Sequence, residues 1–415
     1  MTQTGQEVSK KAMAATLAAA FLGWMFDGME IGLFPLVARP ALKELLGPNA
    51  DISTWFSIVM AGFLVGAAAG GVLFGWLGDR IGRVKAMFWS IMVYAVFTGL
   101  GGLATASWQL AILRLLASLG MGGEWALGVA LIMEVWPVKW RPMLAGLIGA
   151  ASNIGFLLIA LIGLALTQML DYTGWRLLFF VAAVPAMLAF LVILYVPESK
   201  RWQQAASSGP KNKVTDIFKG GIGRYAILGT LISTVILLGT WGSVQFIPAW
   251  ADKLTQGAMP TAKAWAQIAS ALGAIVAAFL APMVAHWTNR RNTYFLLCLT
   301  SLLTCQYLFR WSGLGFGNLF LVWVFIVGGL TASFYGFLPL YLPELFPTRI
   351  RATAQGFAYN AGRILAAMGV LGSGQILKFF HEDYAQMCAV ISLIYAAGIV
   401  FIWFCPETKG RPLPE

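Results

Sequence analysis

A chain of 415 residues that is 59% hydrophobic and only 11% charged falls well below the roughly one-quarter charge of a soluble globular domain. With a mean hydropathy of +0.77, it reads as a polytopic membrane protein. The net charge of +11 comes from Lys and Arg at the ends of apolar runs, so it points to the lipid bilayer and not to nucleic acid.

Twelve apolar runs are long enough to span a membrane, each needing about 20 residues. They lie at roughly 12–37, 54–78, 85–106, 108–133, 143–168, 174–196, 224–250, 263–286, 293–312, 317–342, 352–377 and 386–405. Helix-ending residues such as Pro40, Gly78, Gly82, Pro137, Pro142, Gly174, Pro197, Pro343, Pro347 and Pro406 separate them. The first run follows Lys10 and Lys11 and is too long for a signal-peptide core, so it reads as an uncleaved span. It carries two carboxylates one helical turn apart, Asp27 and Glu30. The fourth carries Arg114 and, after "GMGG", Glu124; the eleventh carries Arg363. Cys298, Cys305, Cys388 and Cys405 lie in or beside the later runs, without disulfide or metal spacing. The longest polar stretch, 197–223, divides the chain into an N-terminal unit (1–196) and a C-terminal unit (224–415) of six spans each.

Nineteen of the 28 Lys and Arg fall on the side of the N-terminus, seven on the other side, and two within spans. This asymmetry predicts that both termini are cytoplasmic.

The two halves match at an offset of 210 residues. "EVWPVKWRP" from Glu134 matches "ELFPTRIRA" from Glu344, Gly146 matches Gly356, and "DR" at Asp79 matches "NR" at Asn289. "PESK" at Pro197 matches "PETK" at Pro406 at an offset of 209. A duplicated six-span unit predicts two parallel bundles with a substrate site between them near the midplane. Glu134 and Glu344, Lys139 and Arg349, and Arg141 and Arg351 are twins at span ends, as expected of a gate or scaffold. Asp27, Arg114, Glu124 and Arg363 have no twin, so one substrate or one proton path is the better reason for them.

"GWLGDRIGRVK", Gly75 to Lys85, resembles the loop signature of the major facilitator superfamily. That resemblance implies an all-α membrane fold of twelve transmembrane helices. It also implies a cytoplasmic gate built from Asp79, Arg80 and Arg83 with Glu134, Arg141, Glu344, Arg349 and Arg351. Asn289 stands where the second copy would carry the Asp, so latching from that half is not expected. "RLLASLGMGGEWALGVALIMEVWPVKWR" from Arg114, with "DGME", "PES" and "PETKG", looks like the metabolite/proton symporter branch. Within it the chain is most similar to sialic acid/proton and then aromatic acid/proton symporters.

Buried carboxylates in a span are functional by default, and two close together resist double ionisation, so Asp27 and Glu30 are the expected proton-coupling pair. Asp27 is the deeper of the two, and Glu124 is a second proton site. The alternative is a structural pair bonded to Arg114. Arg363 has no intramembrane acid partner in its own half and suits bidentate carboxylate binding; Arg114 is a substrate contact or the partner of Asp27 or Glu30 in equal measure. Tyr359, Asn360, Gln245 and Asn153 are further candidates for the lining of a polar cavity, as are Gln168, Tyr335 and Tyr341. No nucleotide loop, metal cluster or hydrolase constellation is present, so neither a cofactor nor an enzymatic activity is expected.

The expected function is secondary active transport by alternating access: proton-coupled uptake of a small organic anion, such as sialic acid or another carboxylate, across the inner membrane by a monomer. Uptake of an aromatic acid, proton-driven efflux of an amphipathic compound, and a receptor that does not turn over are the alternatives.

Overall fold

The computed structural model describes residues 9–47, 52–169, 174–184, 186–207, 213–256, 258–259, 261–381 and 383–414. All regular structure among them is helical, as a bilayer demands, because a helix satisfies its own backbone groups where no water can. Twelve segments follow the predicted spans: α1 Lys10–Leu46, α2 Ile52–Ile81, α3 Arg83–Gly101, α4 Ser107–Val135, α5 Arg141–Met169 and α6, made of Gly174–Ala182 and Ala186–Tyr195. After the short helix Lys200–Ser207 come α7 Gly220–Leu254, α8 Ala262–Trp287, α9 Arg290–Gln306, α10 Asn318–Leu345, α11 Arg351–Phe379 and α12 Tyr384–Phe404. Nine helices among the described residues are long and apolar enough to cross a membrane on their own composition. Of the other three segments, α6 is interrupted, α9 begins with Arg290 and Arg291, and α11 carries Arg363 and several amides.

Local chemistry sets the ends. Ser9 caps α1 by accepting from Ala12 N at 3.2 Å, Asn289 caps α9 from Asn292 N at 2.7 Å, and Asp383 caps α12 from Gln386 N at 3.1 Å. Gly82, at φ 112°, makes the tight turn between α2 and α3. Two boundaries differ from the sequence expectation. Pro40 does not end α1, which runs on to a Gly47 stop at φ 85°. The third span ends at Gly101, five residues early, because a turn closes there with Ala104 N donating to Gly101 O at 3.2 Å.

The repeat is visible in how α3 and α9 begin. Glu198 accepts from Arg83 N at 3.0 Å and Val84 N at 3.1 Å. Glu407 accepts from Arg290 N and Arg291 N, each at 3.1 Å. Arg83 and Arg290 each donate to the carbonyl five residues back, at Gly78 and Ala285, and to the acid of their own half, Glu134 and Glu344. Arg290 is therefore the counterpart of Arg83. The sequence register that set Asp79–Arg80 against Asn289–Arg290 is three residues off, because Asn289 occupies the helix-cap place of Gly82. Across the halves, α2 and α4 pack on α11, and α5 packs on α8 and α10. At the α2–α11 crossing, a side chain at Gly356 would meet the carbonyl of Gly71 and one at Gly71 would meet the Asn360 amide, so both positions suit Gly.

Candidate functional site

Where the halves meet, a cavity of about 100 Å³ is lined from both: Trp24 of α1, Asn153 and Phe156 of α5, Thr240, Trp241 and Gln245 of α7, Gln267 of α8, Thr331 and Tyr335 of α10, and Tyr359 and Arg363 of α11. Gln245, beyond the break in α7 at Ser243, is exposed; Arg363, 3% exposed, lies at the floor. Its guanidinium sits over the Tyr359 ring, 5.2 Å from the centroid, and has no ion-pair partner among the described residues. Its Nε has no hydrogen-bond partner either. Tyr335 and Thr240 share a hydroxyl–hydroxyl bond of 2.8 Å on the same wall. The surface combines one cation, several neutral hydrogen-bonding groups and broad aromatic faces.

The predicted residues do not all reach this cavity. Arg363, Tyr359, Gln245 and Asn153 line it; Arg114 and Asn360 do not. Arg114 is 1% exposed and forms an ion pair with Glu30, also donating to the Glu30 carbonyl at 3.2 Å, under the rings of Phe63 and Phe34. That enclosure keeps it away from the cavity lining and pairs its charge with Glu30. Asn360 donates to Gly122 O at 3.2 Å and Gly356 O at 3.0 Å, so it is a helix tie. Tyr341 likewise bonds a backbone carbonyl, that of Pro406, at 2.6 Å. The side chain of Gln168 lies outside the described residues.

Asp27 does not share its site with Glu30 in the way the sequence spacing suggests. The charged groups around it are Glu124, Arg363 and Glu30. The carboxyls of Asp27 and Glu124 lie within reach of one hydrogen bond, yet neither has a donor among the described residues. Both are buried, at 0% and 1% exposure. A bond between them needs a proton on one of the two. Glu124 fits there only because Gly23 of α1 has no side chain: a Cβ would overlap its Oε1. Tyr94 of α3 brings a buried hydroxyl close to these acids, and Thr98, one turn further along α3, brings its hydroxyl to Glu30. Neither hydroxyl was expected from sequence, since both residues are ordinary in a span.

At the end of the bundle where the basic loops gather, the halves are tied together. Asp79 accepts from Arg83 at 2.5 Å and, across the halves, from Thr353 N at 2.7 Å, Thr353 Oγ1 at 2.5 Å and Ala352 N at 3.3 Å, at the start of α11. Glu134 bridges Arg83 and Arg351, each at 3.1 Å, and Arg83 donates to Thr348 O at 2.9 Å. The second-half acid Glu344 bonds Arg290 at 2.8 Å within its own half. Arg80 stands apart from this cluster, exposed over the Trp76 ring at 5.0 Å. Arg141 is buried beside it and forms no ion pair among the described residues. Arg349 lies near Asp216 of the linker. This basic face is closed, and the cavity floor at Arg363 lies about 18 Å along α11 from it.

A family model described as Major Facilitator Superfamily matches residues 16–370. The cis,cis-muconate transport protein of Acinetobacter baylyi is 30% identical over 372 residues, 86% of each chain. The sialic acid transporter NanX of Escherichia coli is 25% identical over 349 residues, 83% of each. Among solved structures, the proton:xylose symporter XylE bound to 6-bromo-6-deoxy-D-glucose superposes with a TM-score of 0.79 over 98% of both chains, at 19% identity. These matches bear out the twelve-helix fold, and the chain belongs to the major facilitator superfamily as a multi-pass membrane transporter, not an enzyme.

Proposed function

We propose that the protein takes up a small organic carboxylate together with protons, by alternating access of a central site between two six-helix units, 1–196 and 224–415, joined by 197–223. The basic face is cytoplasmic in this reading, both termini lie inside, the membrane is the inner one, and the monomer is the working unit. The observation that carries the reading is Arg363, a buried cation lining the cavity without an ion-pair partner among the described residues, close to the buried carboxyls of Asp27 and Glu124, neither of which has a hydrogen-bond donor there. The anion docks on Arg363, with Tyr359, Asn153 and Gln245 orienting it. Asp27 and Glu124 share the coupling proton, and Glu30 stays with Arg114 as a structural pair. Loss of the proton on the cytoplasmic side leaves two carboxylates competing for Arg363, which expels the bound anion. Asp79, Arg83, Glu134 and Arg351 hold the inner side shut until then.

Compact size and walls of Trp24, Phe156, Trp241, Tyr335 and Tyr359 favour a flat, unsaturated acid over a nine-carbon sugar acid. The muconate transport of the Acinetobacter relative agrees with that preference. Efflux of an uncharged amphipathic compound would leave Arg363 without a role.

Proteoliposomes test this directly. An inward proton gradient is expected to drive accumulation of cis,cis-muconate, benzoate or nicotinate. Asp27→Asn is expected to abolish gradient-driven accumulation while leaving counterflow. Arg363→Lys is expected to raise KM tenfold or more, the loss of about 1.5–3 kcal/mol from a charge-assisted bidentate contact. Full gradient coupling in Asp27→Asn would remove the carboxyl pair from the mechanism.

A further inference from the structure

Glu124 and Trp125 are consecutive on α4 but face different partners. Glu124 lies against Gly23 and Asp27 of α1, inside its own half. Trp125 turns toward the other half and stacks on Tyr359 of α11, with centroids 4.2 Å apart and planes 20° apart. Tyr359 in turn lies under the guanidinium of Arg363, one turn further along α11. The order is therefore acid, indole, phenol, guanidinium, crossing from one half to the other.

The backbone around Trp125 is clamped to the same helix. Asn360 donates to Gly122 O, and Gln355 donates to Ala126 O. Both amides are buried. Residues 122–126 of α4 are thus tied to residues 355–360 of α11 in this state, and the stack lies between the two tethers. A second indole, Trp24, tilts against Trp125 at 6.3 Å and reaches the cavity wall.

We propose that Trp125 is a positioning residue: through Tyr359 it holds the Arg363 guanidinium up toward the cavity, and so links the charge offered to the anion to the helix segment that carries Glu124. The inference rests on the reading of Arg363 as the anion site. An aromatic face is a fitting support for a guanidinium, which stacks on it while its N–H edges stay free. Trp125 packs on the ring of Tyr359, whose side chain is also hydrogen-bonded to Arg363. The arrangement gives the cavity a fixed cation without an ion pair to hold it in place.

The test needs no transported substrate. All four native cysteines are buried, so a single Asn153→Cys in the cavity wall serves as the reporter. Its labelling by an anionic and by a neutral thiosulfonate of similar size is compared, and the ratio reads the charge that Arg363 presents. The parent is expected to prefer the anionic reagent, and Arg363→Ala sets the floor. Trp125→Ala is expected to lower the ratio roughly tenfold, as removal of a nearby charge from a partly dry cavity would, with the neutral rate little changed. Trp125→Phe, which keeps the stack, is expected to retain the preference. Where Trp125→Ala fails to fold, Trp125→Leu replaces it, with size-exclusion behaviour as the control. An unchanged ratio in the Ala or Leu variant overturns the proposal, as does a parent without anionic preference. Failure of gradient-driven uptake with the labelling pattern intact would count against proton coupling alone.

Discussion

Glu30 and Asp27 illustrate how burial separates two acids of one helix turn. Glu30 is neutralised by Arg114, and that pair is sealed by aromatic rings. Removing one partner of a buried pair strands the other charge, at a cost of about 3–5 kcal/mol, whereas replacing both is far milder. Arg114→Ala is therefore expected to lower the unfolding midpoint sharply, and the double variant Arg114→Leu with Glu30→Leu to recover most of it, as a thermal unfolding series in detergent would read. Asp27, by contrast, meets Glu124, and Gly23 makes the approach possible. Gly23→Ala is expected to push Glu124 off Asp27 and to change the pH profile of transport while the fold persists. A profile identical to wild type would show that the two carboxyls do not act together.

At the level of elements, the starts of α3 and α9 use one device with opposite titration. Burial pushes the Glu198 carboxyl above its ordinary value, and its three backbone amide bonds only partly offset this. At Glu407 burial also acts upward, but amide bonds from Arg291, Lys409 and Arg290, with the Arg290 charge, leave the group below 4.5. A depressed carboxylate contributes stability above its unfolded value and loses it as pH falls through the folded one. A raised carboxyl contributes stability at low pH and loses it as pH rises past the unfolded value. Glu407→Gln is thus expected to cost most at neutral pH and progressively less below pH 4.5. Glu198→Gln should show the reverse trend, its cost shrinking toward neutral pH. Thermal unfolding of both variants between acid and neutral pH measures this.

For the molecule as a whole, the closed basic face is held by charges that cross the halves: Asp79 on the start of α11, and Glu134 on Arg351. Asp79→Asn weakens all the contacts at the start of α11 at once, and a like substitution at Glu344, bonded within its own half, touches no cross-half bond. A Cys at Thr348, which is 4% exposed, is expected to label several-fold faster in the Asp79→Asn background and at the parental rate with Glu344→Gln. Equal rates in all three would mean that these ion pairs do not set the closed state.

The sequence by itself determined the twelve helices and singled out the charges inside them that have no counterpart in the other half, because apolar length and charge in hydrocarbon are local properties. It also pointed to Arg363 through the lack of an intramembrane acid partner in its half. Partner choice was another matter. Glu30 with Arg114, Asp27 with Glu124, Trp125 with Tyr359, and the equivalence of Arg290 to Arg83 each depend on how helices distant in the chain rotate and slide against one another. Helical period fixes which face a residue occupies, but only close packing at small residues such as Gly23 and Gly71 fixes which neighbour that face meets. The tertiary structure alone therefore decided that Glu30 meets Arg114 while Asp27 lies beside Glu124, and that Arg363 reaches the cavity over the ring of Tyr359.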